Sequence, residues 1–186
     1  MRPTRVRLDA TTRRAQIVEQ ASGLIARSGY NATSLADIAA ACNVRKSTIL
    51  HHFPSMADLL KAVLLQRDAA DYIAIGACPG GGDRREVRAY LDAAVARNLQ
   101  QPELLRLYVM LGAEALAPAH PAHGYFIERH CLAVKTLAGL LAWKDDPGAA
   151  ALELLAFWQG LETVWLRDPT IDFRAVWSRF GELFFA

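Results

Sequence analysis

Apolar residues recur along this chain at three- and four-residue intervals, and the strict alternation expected of strands is nearly absent. The pattern predicts an all-α protein. Ile17, Ala21, Leu24 and Ile25 form the inner face of a first helix over Thr12 to Ser28, which Gly29 stops. Thr33 and Ser34 are N-cap residues for a short second helix starting near Leu35, with Leu35, Ile38, Ala39 and Cys42 on one side. Asn43 suits the left-handed position that ends it. Val44, Ile49 and Phe53 then give a third helix a buried back, leaving Arg45, Lys46, Ser47, Thr48, His51 and His52 to face outward. A short helix held from behind and opening with cationic and hydroxyl side chains is what reading base edges in a DNA major groove requires.

Downstream, Pro54-Ser55 begins a long helix with Ser55 as N-cap and Asp58 in its first turn. Leu59, Leu60, Val63, Leu64 and Ala70 carry its apolar side towards Ile75, and this helix connects the head to everything that follows. The clearest break in the chain is Cys78-Pro79-Gly80-Gly81-Gly82-Asp83. No strand precedes these glycines and no Gly-Lys-Ser/Thr follows, so they read as an interhelical loop and not a phosphate cradle. Further helices are expected over Arg84–Gln101, Pro102–Ala117, Tyr125–Trp143, Pro147–Leu166 and Phe173–Phe185, with a second break at Pro118–Gly124. The expected division is a three-helix head over residues 1–55 and a larger helical body over residues 56–186.

Charge sharpens the picture. Residues 1–53 carry eight bases against three acids, whereas the remainder is net −3. Arg2, Arg5 and Arg7 precede the first helix in a segment with no reason to fold, placed to lie along DNA or enter a minor groove. A basic head on a mildly acidic body is an electrostatic footprint for a polyanion.

The head resembles the DNA-binding domain of the tetracycline-repressor (TetR) family of bacterial transcription regulators. The likeness runs from about Thr12 to Leu60: Ser28-Gly29-Tyr30, then Thr33-Ser34-Leu35 with Ile38-Ala39, then Val44, Thr48-Ile49, His52-Phe53, and Ser55 with Asp58-Leu59. It implies that Arg45, Lys46, Ser47, Thr48 and His51 face base edges or nearby phosphates, while His52, Thr33 and Ser34 contact or orient the backbone. Three positions depart from the family pattern. Asn43 replaces a turn glycine, which Asn tolerates. Leu50 stands where a Tyr usually bonds phosphate, and Met56 where the next helix usually opens with Lys. Missing phosphate contacts weaken binding to all sequences alike.

In the body, the helix Pro147–Leu166 is apolar nearly all round, with Leu152, Leu155 and Leu166 broadly on one side and Leu154, Phe157, Trp158, Leu161 and Trp165 on the other. Such a helix must be covered twice. The last helix repeats the demand with Phe173, Val176, Trp177, Phe180, Leu183 and Phe184, and Gly160 and Gly181 would permit close helix approach. Half of a four-helix homodimer interface satisfies both, as in proteins of the family it resembles, and would set two recognition helices about 34 Å apart for a palindromic operator. An internal core is the plainer alternative. For a small-molecule effector, the residues favoured are Tyr108, Met110, Tyr125, Phe126, Trp158, Glu162 and Trp165, which put large apolar faces and one carboxylate mid-body. They favour a mainly apolar ligand, planar or cationic. Glu114 and Arg129 read as groups that pair with another charge or reach solvent.

Other chemistries find little support. Cys42 reads as a buried small residue, and Cys42, Cys78 and Cys131 have no metal-ligand spacing. His120, His123 and His130 straddle a Pro-rich loop without helical-pair spacing and read as caps or loop bonds. No nucleophile elbow or His-Glu metal helix occurs, so no enzyme activity, catalytic residue, metal or cofactor is expected. The N-terminus is basic without a following apolar run, and no span of about 18 apolar residues exists, so neither a signal peptide nor a membrane helix is expected and a cytoplasmic location is the default. The expectation is a ligand-responsive DNA-binding repressor. Its rival is an all-α small-molecule-binding protein or enzyme whose head no longer binds DNA, supported by Leu50 and Met56 alone.

Overall fold

The computed structural model describes residues 9–75 and 83–186. All regular structure among them is helical: α1 (Ala10–Ser28), α2 (Leu35–Ala41), α3 (Lys46–His52), α4 (Met56–Ile75), α5 (Arg84–Gln100), α6 (Pro102–Glu114), α7 (His123–Leu140), α8 (Pro147–Arg167) and α9 (Phe173–Phe184). The arginine arm (Arg2, Arg5, Arg7), Cys78 and the glycines at 80–82 lie outside the described residues, as do the side chains of Ala70 and Ile75.

Local chemistry explains most helix ends. Asp9, Asp83, Asp146 and Asp172 cap α1, α5, α8 and α9 by accepting hydrogen bonds from first-turn N–H groups. Ser34 and Asp37 form a reciprocal capping box on α2, a device worth about 1 kcal/mol. Gly29 takes φ +83° after α1, and its N–H donates to Ile25 O at 2.8 Å. Asn43 has φ +52°, alone among the described non-glycine residues in the left-handed region, and so makes the turn its sequence position predicts. Two body helices differ from expectation. α6 stops at Glu114, and the freed Ala115 carbonyl is taken by His123 Nδ1 at 2.7 Å, which also starts α7 two residues early. α7 ends at Leu140, where the chain turns with Lys144 N on Leu141 O.

Two apolar cores hold the molecule. The first joins Ile17, Val18, Ala21 and Ile25 of α1, Ile38, Ile49, Phe53, and Leu59, Leu60, Val63 and Leu64 of α4. It also includes Leu107 and Leu111 of α6, with Ala115 and Ala122 beyond it, and α1 packs along α6. Each fully buried Ile or Leu stabilises by about 1.5–3 kcal/mol, so the seam between head and body is a strong one. The second core gathers Val87, Leu91 and Val95 of α5, Leu137 and Leu140 of α7, Ala151, Leu154 and Leu161 of α8, and Phe173 and Trp177 of α9.

Candidate functional site

The helix predicted to read DNA is built as its sequence requires. Ile49 of α3 and Phe53 just beyond it are buried, and Val44 packs half-buried against the same core. Anchored on that side, α3 and its N-cap Arg45 turn Arg45, Lys46, Ser47 and His51 outward as exposed residues, with Thr48 and His52 half-buried at the edges. Arg14 of α1 lies over the Phe53 ring at 4.7 Å and adds a further cation nearby. The His51 and His52 rings meet edge-on at 5.4 Å. Burial first, then His51, Arg14 and Arg13, lowers the His52 pKa from its ordinary value of 6.5.

Thr33 and Ser34 have different roles. Ser34 is exposed, and its hydroxyl donates to Asp37 Oδ2 at 2.5 Å while accepting from Asp37 N. Thr33 is buried, and its hydroxyl donates to Gly29 O at 2.7 Å. It fixes the turn between α1 and α2 and does not present its hydroxyl outward. Leu50 is 40% exposed on the outer surface of α3, whereas Met56 packs against the first core.

Sequence reasoning missed how the head is tied down. The Glu114 carboxylate at the end of α6 accepts from Tyr30 N at 2.9 Å, Asn31 N at 3.4 Å and Asn31 Nδ2 at 3.3 Å. These N–H groups follow the α1 stop, so a body carboxylate fastens the turn that leads into α2 and α3. A Cβ at position 29 would come within 2.7 Å of Glu114 Oε1, so glycine is needed for this approach as well as for its φ. Tyr30 meets the buried His120 ring edge-on at 5.0 Å, and His120 Nε2 is 4.0 Å from the same carboxylate. Ala122 N donates to His120 Nδ1, and His123 closes its own loop bond, so two of the three histidines act as loop fasteners. The only hint in the sequence was an acid placed among apolar residues.

In the body the seven residues expected at an effector site fall into two groups. Tyr108, Tyr125 and Phe126 come together, with ring centroids 6.0 Å (Tyr108–Phe126) and 5.2 Å (Tyr125–Phe126) apart. Asp68 of α4 is their polar hub. It accepts from Tyr108 OH at 3.0 Å, Tyr125 OH at 2.6 Å and Arg129 at 2.6 Å, and Arg129 also lies over the Tyr108 ring at 4.7 Å. Burial raises both phenol pKa values, that of Tyr125 to about 12, so both hydroxyls stay protonated as donors. Trp158, Glu162 and Trp165 belong to the second core instead. There Trp158 packs on Trp177 and Trp165 on Phe173, and the buried Glu162 accepts from Asn98 Nδ2 at 2.8 Å. Met110 lies under the α1 stop, with its Cε 3.6 Å from the place a Gly29 Cβ would occupy.

The geometry of the head has parallels in known proteins. Residues 17–63 match the family described as "Bacterial regulatory proteins, tetR family". None of the curated proteins matches the chain. Among solved structures, a TetR transcriptional regulator from Legionella pneumophila is similar at 20% identity and TM-score 0.75, covering 96% of this chain and 98% of that one. A TetR-family transcriptional regulator from Streptomyces coelicolor is similar at 24% identity and TM-score 0.70, covering 94% and 91%. At these identities the likeness establishes the fold, and the family match covers the head. Residues 17–63 are thus similar to the tetR family of bacterial regulatory proteins, and the chain as a whole shares the all-helical fold of solved TetR-family transcriptional regulators.

Proposed function

We propose that the chain is a cytoplasmic repressor that holds a palindromic operator as a homodimer and releases it when a small, mainly apolar effector enters the body. The functional division falls near residue 55, with the head reading DNA and residues 56–186 sensing and pairing. The observation that carries this reading is the exposed start of α3, held from behind by Ile49 and Phe53. Arg45, Lys46, Ser47, Thr48 and His51 face base edges or phosphates, Ser34 and His52 the backbone, and Thr33 orients the turn.

The dimer reading is supported by apolar surface left uncovered in one chain. Leu152, Ala156, Gly160 and Val164 are exposed at four-residue steps on α8, and Val176 and Leu183 are exposed on α9. A Cβ at Gly160 would meet nothing within 4 Å, which leaves room for a partner helix.

Tyr108 and Tyr125, with Phe126 packed on both rings, are the strongest effector contacts, because Asp68 links the two tyrosine hydroxyls directly to the connector helix α4. A ligand that engages those hydroxyls competes with Asp68, and so favours a different setting of α4 and of the head above it. That is an equilibrium effect: the ligand shifts the heads only by its difference in affinity for the two settings. Met110, Trp158, Glu162 and Trp165 complete the assignment as more distant members.

The test is a shift assay of the full chain on genomic fragments across a salt series. A few fragments should stay bound at salt that strips the others. Equal loss of all fragments would rule out sequence-specific binding.

A further inference from the structure

A recess lies between α5 and α9, against the second core and not the cluster that holds Tyr108. It is a cleft of about 210 Å³ lined by Arg88, Asp92, Val95, Arg174, Trp177 and Ser178. Its walls are fixed. Arg88 Nε spans both Asp92 oxygens at 2.9 and 3.1 Å, and its terminal nitrogen reaches Ser178 O at 3.4 Å. Trp177 Nε1 donates to Asp92 Oδ1 at 2.6 Å. The guanidinium occupies space that only a glycine leaves open, since a Cβ at Gly181 would fall 1.8 Å from an Arg88 nitrogen.

Charge then selects the ligand. Asp92 is occupied by Arg88 and Trp177 and has little left to offer a cation. Arg174 is exposed and has no ion-pair partner among the described residues. Two guanidinium groups against one carboxylate leave the lining at +1, which one negative charge neutralises. Trp177 and Val95, both almost wholly buried, give the cleft a narrow apolar floor, and the volume suits a molecule smaller than a drug-sized ligand. On α9, Arg174 and Ser178 point roughly opposite to Val176 and Leu183, by 100° per residue, so the cleft stays open in the proposed dimer.

We propose that this cleft binds a small flat carboxylate, an aromatic acid or one of similar shape, as a site separate from the one around Asp68.

Calorimetric titration of the full chain with benzoate, benzyl alcohol, benzylamine and inorganic phosphate tests it. Benzoate should bind once per chain and more tightly than the other three. Arg174→Ala should weaken benzoate about tenfold, the loss of one charged hydrogen bond. Ser178→Phe, which fills the cleft but keeps its charges, should abolish binding. Both positions are exposed, and an unchanged melting temperature shows that both variants fold. Benzoate binding that is undetectable, is matched by benzyl alcohol or phosphate, or survives both substitutions overturns the proposal. So does binding that Tyr108→Phe removes and Arg174→Ala does not.

Discussion

Arg45 stands at the N-cap of α3 with its side chain exposed and making no cap bond. Replacing it with Ala should cost about 1–3 kcal/mol on the operator and far less on random DNA, measured side by side at one salt concentration. Equal losses would make it a phosphate contact only. His52 gives a second test, with a defined sign. Its pKa lies below 6.5 in the free protein, and a phosphate beside it favours the charged form. DNA binding therefore takes up a proton, and operator affinity should rise as pH falls towards the lowered pKa of the free protein. His52→Gln should flatten that rise. Without DNA the same depressed pKa works the other way: the unfolded chain binds the proton first, so stability falls as pH drops below 6.5. These outward residues were legible in the sequence because Ile49 and Phe53 fix the helical phase. Thr33 was only half legible, since one hydroxyl position cannot reveal whether its partner is a phosphate or the Gly29 carbonyl.

Among the elements, α6 has a role that periodicity did not disclose. Its apolar spacing predicted a helix, but not that its last residue would cap the turn after α1. Glu114→Ala leaves the Tyr30 and Asn31 N–H groups without their acceptor and should cost about 1–3 kcal/mol of stability, read by denaturant unfolding. Operator affinity should fall with it, because the turn into α2 loosens. An unchanged unfolding curve would show that water replaces the carboxylate at no cost. The double apolar demand of α8 was legible, and its inner half is buried as Leu154 and Leu161. Gly160→Glu puts a charge where a partner helix is expected, and should yield folded monomers by sedimentation with much weaker operator binding. A folded dimer would move the interface elsewhere. Gly181, read in the sequence as a second close-approach glycine, lies under Arg88 and serves the chain's own packing.

For the molecule as a whole, the all-helical architecture and the order of its helices could be read from spacing and breakers. The division of the aromatic residues between two cores could not. Tyr108 and Trp158 are both apolar-face residues of body helices, and only the paths of α6 and α8 through space assign them to different clusters. Asp68 escaped notice for the same reason: its partners lie 40, 57 and 61 residues away.

The α1–α6 seam bears on how the protein opens and how it can be recombined. A sequence-defined head ending near residue 55 leaves behind α4 and the Leu107–Leu111 surface on which α1 rests. Such a fragment should remain largely unfolded, and in the intact chain the amide hydrogens of α1 and α6 should exchange together, as one cooperative unit. Independent exchange of the two helices, or a well-folded fragment 1–55, would contradict this. The piece of chain proposed to contact DNA is therefore smaller than the piece that must fold for it to do so. Grafting the head alone onto another regulator's body would transfer the recognition residues but not the surface that holds them in place.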